Sequence, residues 1–170
     1  MAFSLLPNLI LDAATDLTPD LLLGRGIWFL MMDFDNTIVP YTTDIPTRRM
    51  TDWITAMRAG GITLCMVSNS HKPRVRTFCD AHAIPCIQAA RKPFWRVGIA
   101  KALREFDCPP EQAAIVGDQI YTDILGGNGA GVGTVLIRPI HLHNIWLKLR
   151  YAAEQPFIIL GKRRINREKS

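Results

Sequence analysis

Four short stretches of the chain carry residue types that can do chemistry together. "MMDFDNTIVP" (31–40) sets Asp33 and Asp35 one residue apart, with Thr37 two further on. "SNS" (68–70) offers Ser68 and Asn69, "RKP" (91–93) offers Lys92, and "GDQIYTD" (117–123) offers Asp118 and Asp123. Taken singly, each has a plain reading. Ser68 or Asn69 can cap a helix, and a lone lysine is a solvated charge. Taken together, converging carboxylates repel one another unless a cation neutralises them. An all-oxygen donor set with waters is the habit of Mg²⁺. Beside such a cation, a carboxylate can attack phosphorus as a nucleophile. The transferring group then needs a lysine, hydroxyls and N–H donors around its oxygens. Lys92, Ser68 and the N–H groups after Asp33 meet that need, so the set points to phosphoryl transfer.

The elements that must bring these stretches together can be read from the apolar runs. Strands are expected at 28–32, 62–68, 86–89, 113–117 and 133–139. Between them, helical periodicity covers 48–61, 73–83 and 93–106. In the last, Phe94, Val97, Ala100 and Leu103 are expected on one buried face. Trp28, Trp53 and Cys65 are expected in the core. Buried runs alternating with helices predict a doubly wound, three-layer Rossmann-like parallel sheet. In such sheets the chemistry lies beyond the carboxyl ends of the strands, and each of the four stretches follows a strand. One domain, 1–170, is expected, with a lead-in at 1–25 and a C-terminal helix and basic tail at 140–170. Thr18-Pro19 starts a short helix in the lead-in.

The four stretches resemble the four motifs of the haloacid dehalogenase superfamily of phosphohydrolases: "DFDNTIVP", "VSNS", "ARKP" and "GDQIYTDILGGN". The resemblance is closer to the YqeG-like, class IIIA phosphatases, which the lead-in "LLPNLILDAATDLTPDLLLGRGI" also resembles. It implies that Asp33 is the nucleophile and a Mg²⁺ ligand. Asp35 is then the general acid and base, and a ligand through its backbone carbonyl. Ser68 holds a phosphoryl oxygen, with Asn69 beside the substrate, and Lys92 bridges Asp33 and the phosphoryl group. Asp118 is the second carboxylate ligand, and Asp123 supports the metal's water shell. Thr37 either orders the first motif's loop next to the substrate or caps a helix. The chain departs from the branch at Ser70, where an Asn is usual, and at Gly129, where Arg is common; both bear on substrate contacts.

Two other readings fail on detail. "GGNGAGVG" (126–133) follows a helix start and lacks both the G-x-G-x-x-G spacing and a Walker lysine. Close helix packing and a helix C-terminus explain it better. A receiver module also uses carboxylates, a hydroxyl and a lysine on a parallel sheet, but its phosphoacceptor follows the third strand, where this chain has no aspartate. His71, His141 and His143 read as exposed or companionless. The remaining alternatives are a phosphatase of nucleic-acid ends or of a small phosphoester, and a phosphate-binding scaffold without turnover.

Spacing and charge bear on the substrate. Residues 37–68 leave room for one helix and one strand, and 68–92 for a helix and a short strand, so no cap domain is expected over the site. An open site suits a substrate with its own bulk. The net charge is +5, and residues 148–170 hold seven Lys/Arg against two Asp/Glu. "HNIWLKLRYAA" (143–153) places Ile145, Trp146 and Leu149 on one helical face, and "PFIILGKRRINREK" (156–169) joins an apolar patch to basic residues. This composition suits anionic membrane contact, a nucleic-acid contact, or a plain final layer with a solvated tail. The YqeG-like branch resembles phosphatases of phosphatidylglycerophosphate, which favours a lipid head group as substrate over nucleic acid. Four cysteines without a C-x-x-C pair, and no charged leader or spanning run, suggest a cytoplasmic protein, peripheral on the membrane at most.

Overall fold

The computed structural model describes residues 4–88, 96–142 and 144–168, and their side chains except at 96 and 168. Lys92, Phe94 and His143, named above, lie outside the described residues. Six parallel strands form one sheet: β1 (Leu9–Leu11), β2 (Phe29–Met32), β3 (Thr63–Ser68), β4 (Cys86–Gln88), β5 (Ala113–Gly117) and β6 (Gly133–Ile137). Their spatial order is β1-β6-β5-β2-β3-β4. The chain winds outward from β2 to β4, then returns to lay β5 against the other side of β2. The switch point therefore falls between β2 and β5, where an α/β sheet opens a crevice at its carboxyl edge.

Alternation along β2 builds both faces. Leu30 and Met32 point to one side with Leu64, Met66, Ala114 and Val116. That side is covered by α1 (Pro19–Leu23), α2 (Arg48–Ala59) and α3 (Pro73–Ala81). Phe29 and Met31 point to the other side with Cys65, Val67 and Ile115. There α4 (Arg96–Glu105) contributes Ile99, Ala102 and Leu103. Threonine hydroxyls start two of the helices. Thr18 Oγ1 accepts from Leu21 N at 3.2 Å, and Thr47 Oγ1 from Met50 N at 3.2 Å.

The expected strands and helices are found; 113–117 keeps its expected bounds, and elsewhere the ends that fall in the described residues are trimmed by at most two residues. Three details differ. The lead-in contains β1, a three-residue strand paired with β6; it is too short for alternation to reveal it. The buried stripe of α4 is Ile99, Ala102 and Leu103, while Val97 is 56% exposed, because the helix turns its other side to Phe29 and Met31. Trp53 is buried, but Trp28 is only partly so, and its indole N–H donates to Gln112 Oε1 at 2.7 Å. "GGNGAGVG" behaves as expected: α5 (Leu125–Ala130) ends at Gly131 in a left-handed cap, and a Cβ on Gly127 would strike Thr134 and Ile115.

The C-terminal region is one helix, α6 (Ile145–Glu168), running through Pro156. An interior proline costs about 3 kcal/mol in a helix. Contacts on both sides of it hold α6 in place: Glu154 accepts from Ile120 N at 3.0 Å, and Ile158 is buried against Ile120, Ile124 and Leu136. Among the described residues, no helix is long and apolar enough to cross a membrane.

Candidate active site

Asp33 is the residue after β2, and its N–H still donates to Val116 O of β5 at 3.0 Å. This bond sets Asp33 beside Asp118, which follows β5. The chain then turns sharply. Asn36 takes a left-handed φ of 61°, a conformation that Asn tolerates better than most L-residues. Its N–H donates to Val39 O at 2.8 Å and its Nδ2 to His141 O at 3.0 Å, which pins the turn to the segment after β6. Asp35 leaves the turn toward α3 and pairs with Arg74 Nη2 at 3.1 Å. The same guanidinium donates to Tyr41 O and Pro40 O, pairs with Asp44 at 3.1 Å, and lies 5.1 Å from the Phe34 ring centroid. Arg74 thus clamps the whole first-motif loop.

After β5, a π-helical turn at Ile120–Ile124 carries Asp123 back over the strand end. Asp123 Oδ2 accepts from Gln119 N at 3.1 Å. A Cβ on Gly117 would land on the Asp123 carboxylate, so only glycine lets that side chain settle there. The outcome is three buried carboxylates, Asp33, Asp118 and Asp123, each with an oxygen within 4.8 Å of the others. Asp33 Oδ2 and Asp118 Oδ1 have no hydrogen-bond partner among the described residues. Two orphaned carboxylate oxygens in one buried cluster fit a divalent cation such as Mg²⁺.

The electrostatics agree. Burial, and then the charges of Asp123, Asp118 and Asp35, push the Asp33 carboxyl well above the usual carboxylate range. Burial raises Asp118 to about 6, against the pull of Arg150, whose Nη2 sits 3.1 Å from Asp118 Oδ2. Burial, and then the charges of Asp118, Asp35 and Asp33, push the Tyr41 phenol up to about 12. Glu154, with 0% exposure, is raised to about 7, chiefly by burial.

An open cavity of about 420 Å³ lies over the cluster. Asp33, Asp35, Ser68 and Asn69 line it. Ser68 is buried and its Oγ accepts from Ser70 N at 3.1 Å, while Asn69 Oδ1 is buried without a hydrogen-bond partner among the described residues. Thr37 is buried but lines a neighbouring apolar cavity instead, with Ile38, Val39 and Met50. It begins no helix: the next one starts at Arg48, capped by Thr47. Tyr41, His71, Lys72 and Gln119 also line the site, and sequence reasoning gave a site role to none of them. Arg74 and Arg150 were missed as well. Extending the search for polar residues from each strand end into the first turn of the next helix would have found Arg74. Nothing in the sequence marks Arg150.

Comparison with known proteins agrees with this geometry. Residues 90–139 match the HAD-hydrolase-like family model. The chain is 34% identical over 135 residues to the probable phosphatase YqeG of Bacillus subtilis, covering 79% of this chain and 78% of that one. It is 30% identical over 127 residues to the chloroplastic phosphatidylglycerophosphate phosphatase 1 of Chlamydomonas reinhardtii, covering 69% of this chain but only 46% of that longer protein. Among solved structures, the cobalt-bound deoxy-D-mannose-octulosonate 8-phosphate phosphatase of Haemophilus influenzae shares the fold, with a TM-score of 0.54 at 15% identity over 74% of this chain and 75% of that one. The parallel sheet with its acidic carboxyl edge is that of a haloacid dehalogenase-type hydrolase. Within that superfamily the chain belongs to the YqeG-like phosphatases.

Proposed function

We propose that the protein is a Mg²⁺-dependent phosphomonoesterase that works through an aspartyl phosphate on Asp33, with phosphatidylglycerophosphate as its substrate. The observation that carries the catalytic part is the buried cluster of Asp33, Asp118 and Asp123 with two orphaned oxygens at the switch point. Asp33, Asp118 and the backbone carbonyl of Asp35 would hold Mg²⁺, with Asp123 steadying its waters. The cation would screen the mutual repulsion of the acids and the charge on the phosphoryl oxygens.

In the first step a carboxylate oxygen of Asp33 attacks phosphorus, and the bond from phosphorus to the ester oxygen breaks. Asp35 donates its proton to that leaving oxygen. In the second step Asp35 takes a proton from water as the water oxygen attacks the phosphoryl group. Inorganic phosphate leaves and the Asp33 carboxylate is restored. Ser68 and Asn69 donate to the phosphoryl oxygens, Lys92 bridges them to Asp33, and Thr37 supports the loop that carries both acids. Asp35 lines the cavity, and Arg74 pairs with its carboxylate.

The choice of substrate rests on two supports. Between Thr37 and Gln88 the chain builds only α2, β3, α3 and β4, so no inserted domain in that span closes the cavity. A phosphate projecting from a lipid surface can enter such a mouth. The relative from Chlamydomonas reinhardtii acts, by its name, on this phospholipid. The test is a phosphate-release panel with Asp33→Asn as blank. It compares phosphatidylglycerophosphate in micelles, a 3′-phosphorylated oligonucleotide and sugar phosphates, with and without Mg²⁺. Faster release from the lipid supports the reading. A faster oligonucleotide or sugar phosphate replaces the substrate, and full activity of Asp33→Asn removes the mechanism.

A further inference from the structure

We infer that the outward face of α6 is a docking surface for an anionic phospholipid bilayer. Over 145–160 the helix turns apolar residues outward, and its last two turns carry Arg163 and Arg167 on that same side. At about 100° per residue, Ile145, Trp146, Leu149, Pro156, Ile159 and Leu160 fall on one side. That side faces solvent: Trp146 is 76% exposed, Ile145 62%, Leu149 53%, Ile159 50% and Leu160 49%. The opposite side packs on the protein through Arg150, Tyr151, Glu154 and Ile158. Scattered exposed apolar residues are ordinary, but a stripe from Ile145 to Leu160, about 23 Å along the helix, marks an interaction surface.

Charge selects the occupant. Lys148, Lys162, Arg163 and Arg167 are exposed along and beside the stripe. Of the carboxylates on α6, Glu154 is buried and Glu168 is the final residue. An apolar centre carrying a tryptophan, bordered by cations and lacking acids, is the composition of a helix lying in a lipid interface. A second copy of the same face would meet it cation against cation, with no exposed acid on α6 among the described side chains to offset the repulsion. A nucleic-acid surface would spread its cations along the whole face, whereas the arginines on this side, Arg163 and Arg167, lie only in its last two turns. The docking end also lies at the catalytic rim, since Arg150, one turn beyond Trp146, touches Asp118.

The surface rests on α6 alone and stands whatever substrate the cavity takes. The experiment is co-sedimentation of the full chain with phosphatidylcholine vesicles, with and without phosphatidylglycerol. The variants are Trp146→Ser/Leu149→Ser, Ile159→Ser/Leu160→Ser, and Lys162→Glu/Arg163→Glu. Circular dichroism checks the fold, and release from a soluble phosphoester checks the cavity separately. The wild type should pellet with the phosphatidylglycerol vesicles. Each apolar pair should lower the partition coefficient about tenfold, and the charge pair should remove the preference for anionic lipid. Failure of the wild type to pellet, or equal pelleting by folded apolar variants, overturns the inference. So does a wild type that ignores vesicles but dimerises or retains an oligonucleotide through this face.

Discussion

Without a divalent cation, the acidic cluster should make the protein less stable as pH rises. Asp118 is raised from 3.8 to about 6 in the folded state. Its protonated form therefore favours folding, and that contribution is whole below about pH 4 and lost as pH rises through about 6. The shift of about 2 units corresponds to about 3 kcal/mol in full. Between pH 5 and pH 8, the unit from 5 to about 6 is crossed, so Asp118 alone removes about 1.4 kcal/mol. Glu154, raised to about 7, and Asp33, raised well above its ordinary value, act in the same direction. The assay is urea unfolding in chelator at pH 5 and pH 8, for wild type and Asp118→Asn. Arg150 keeps its charge in both proteins at both pH values, so its lost partner cancels from the difference in slope. The wild type should lose at least about 1.4 kcal/mol more than the variant over that interval. Adding Mg²⁺ at pH 8 should restore the wild type and leave the variant nearly unchanged, because binding requires the ionised carboxylate. Equal pH slopes in the two proteins, or a wild type that gains stability from pH 5 to pH 8 in chelator, would refute the account of the cluster.

Three further outcomes are expected. Asp35→Asn should stall with Asp33 phosphorylated, seen as a persistent phospho-adduct by intact mass after substrate is added; undiminished turnover removes Asp35 from proton transfer. Gly117→Ala should fold but weaken divalent-cation binding by about tenfold or more in calorimetry, because its Cβ displaces the Asp123 carboxylate. Unchanged affinity would mean that Asp123 plays no part at the cation. Arg74→Ala should lower stability by about 2–4 kcal/mol in urea unfolding, since it removes the guanidinium that pairs with Asp35 and donates to two loop carbonyls. Arg74→Lys should recover only part of this, because an ammonium lacks the planar fork that makes these contacts at once; full recovery by lysine would contradict the clamp.

The parts of the fold that were legible in the sequence are those where burial imposes a period. β2, β3 and β5 are buried on both faces and read as unbroken apolar runs, so their ends, and hence the positions of Asp33, Ser68 and Asp118, followed directly. β1 is an edge strand of three residues, none fully buried, and leaves no such trace. The face of α4 was misjudged because its apolar residues outnumber those that touch the sheet. In the site, the acids announced themselves by type and spacing. Arg74, Arg150 and Tyr41 did not, because only tertiary packing brings Tyr41 to the cavity and the two arginines onto Asp35 and Asp118.

The inverted polarity of α6 has a physical origin in what the helix covers. A final helix laid on a sheet usually buries its apolar stripe. Here the first turns of α6 cross the carboxyl edge, beside the buried Asp118, where an apolar residue would leave an acid with no counter-charge. Arg150 offsets that acid, and Glu154 satisfies the Ile120 N–H at the start of the π-helical turn. Polar residues are thus required on the inner face near the rim, and Ile158 supplies apolar contact only further along. Packing against this edge does not explain why the outer face is Ile, Trp and Leu, since a solvated face would be served by charged residues at lower risk of aggregation. The inner face is fixed by the chemistry of the site, and the inferred bilayer contact would account for the outer one.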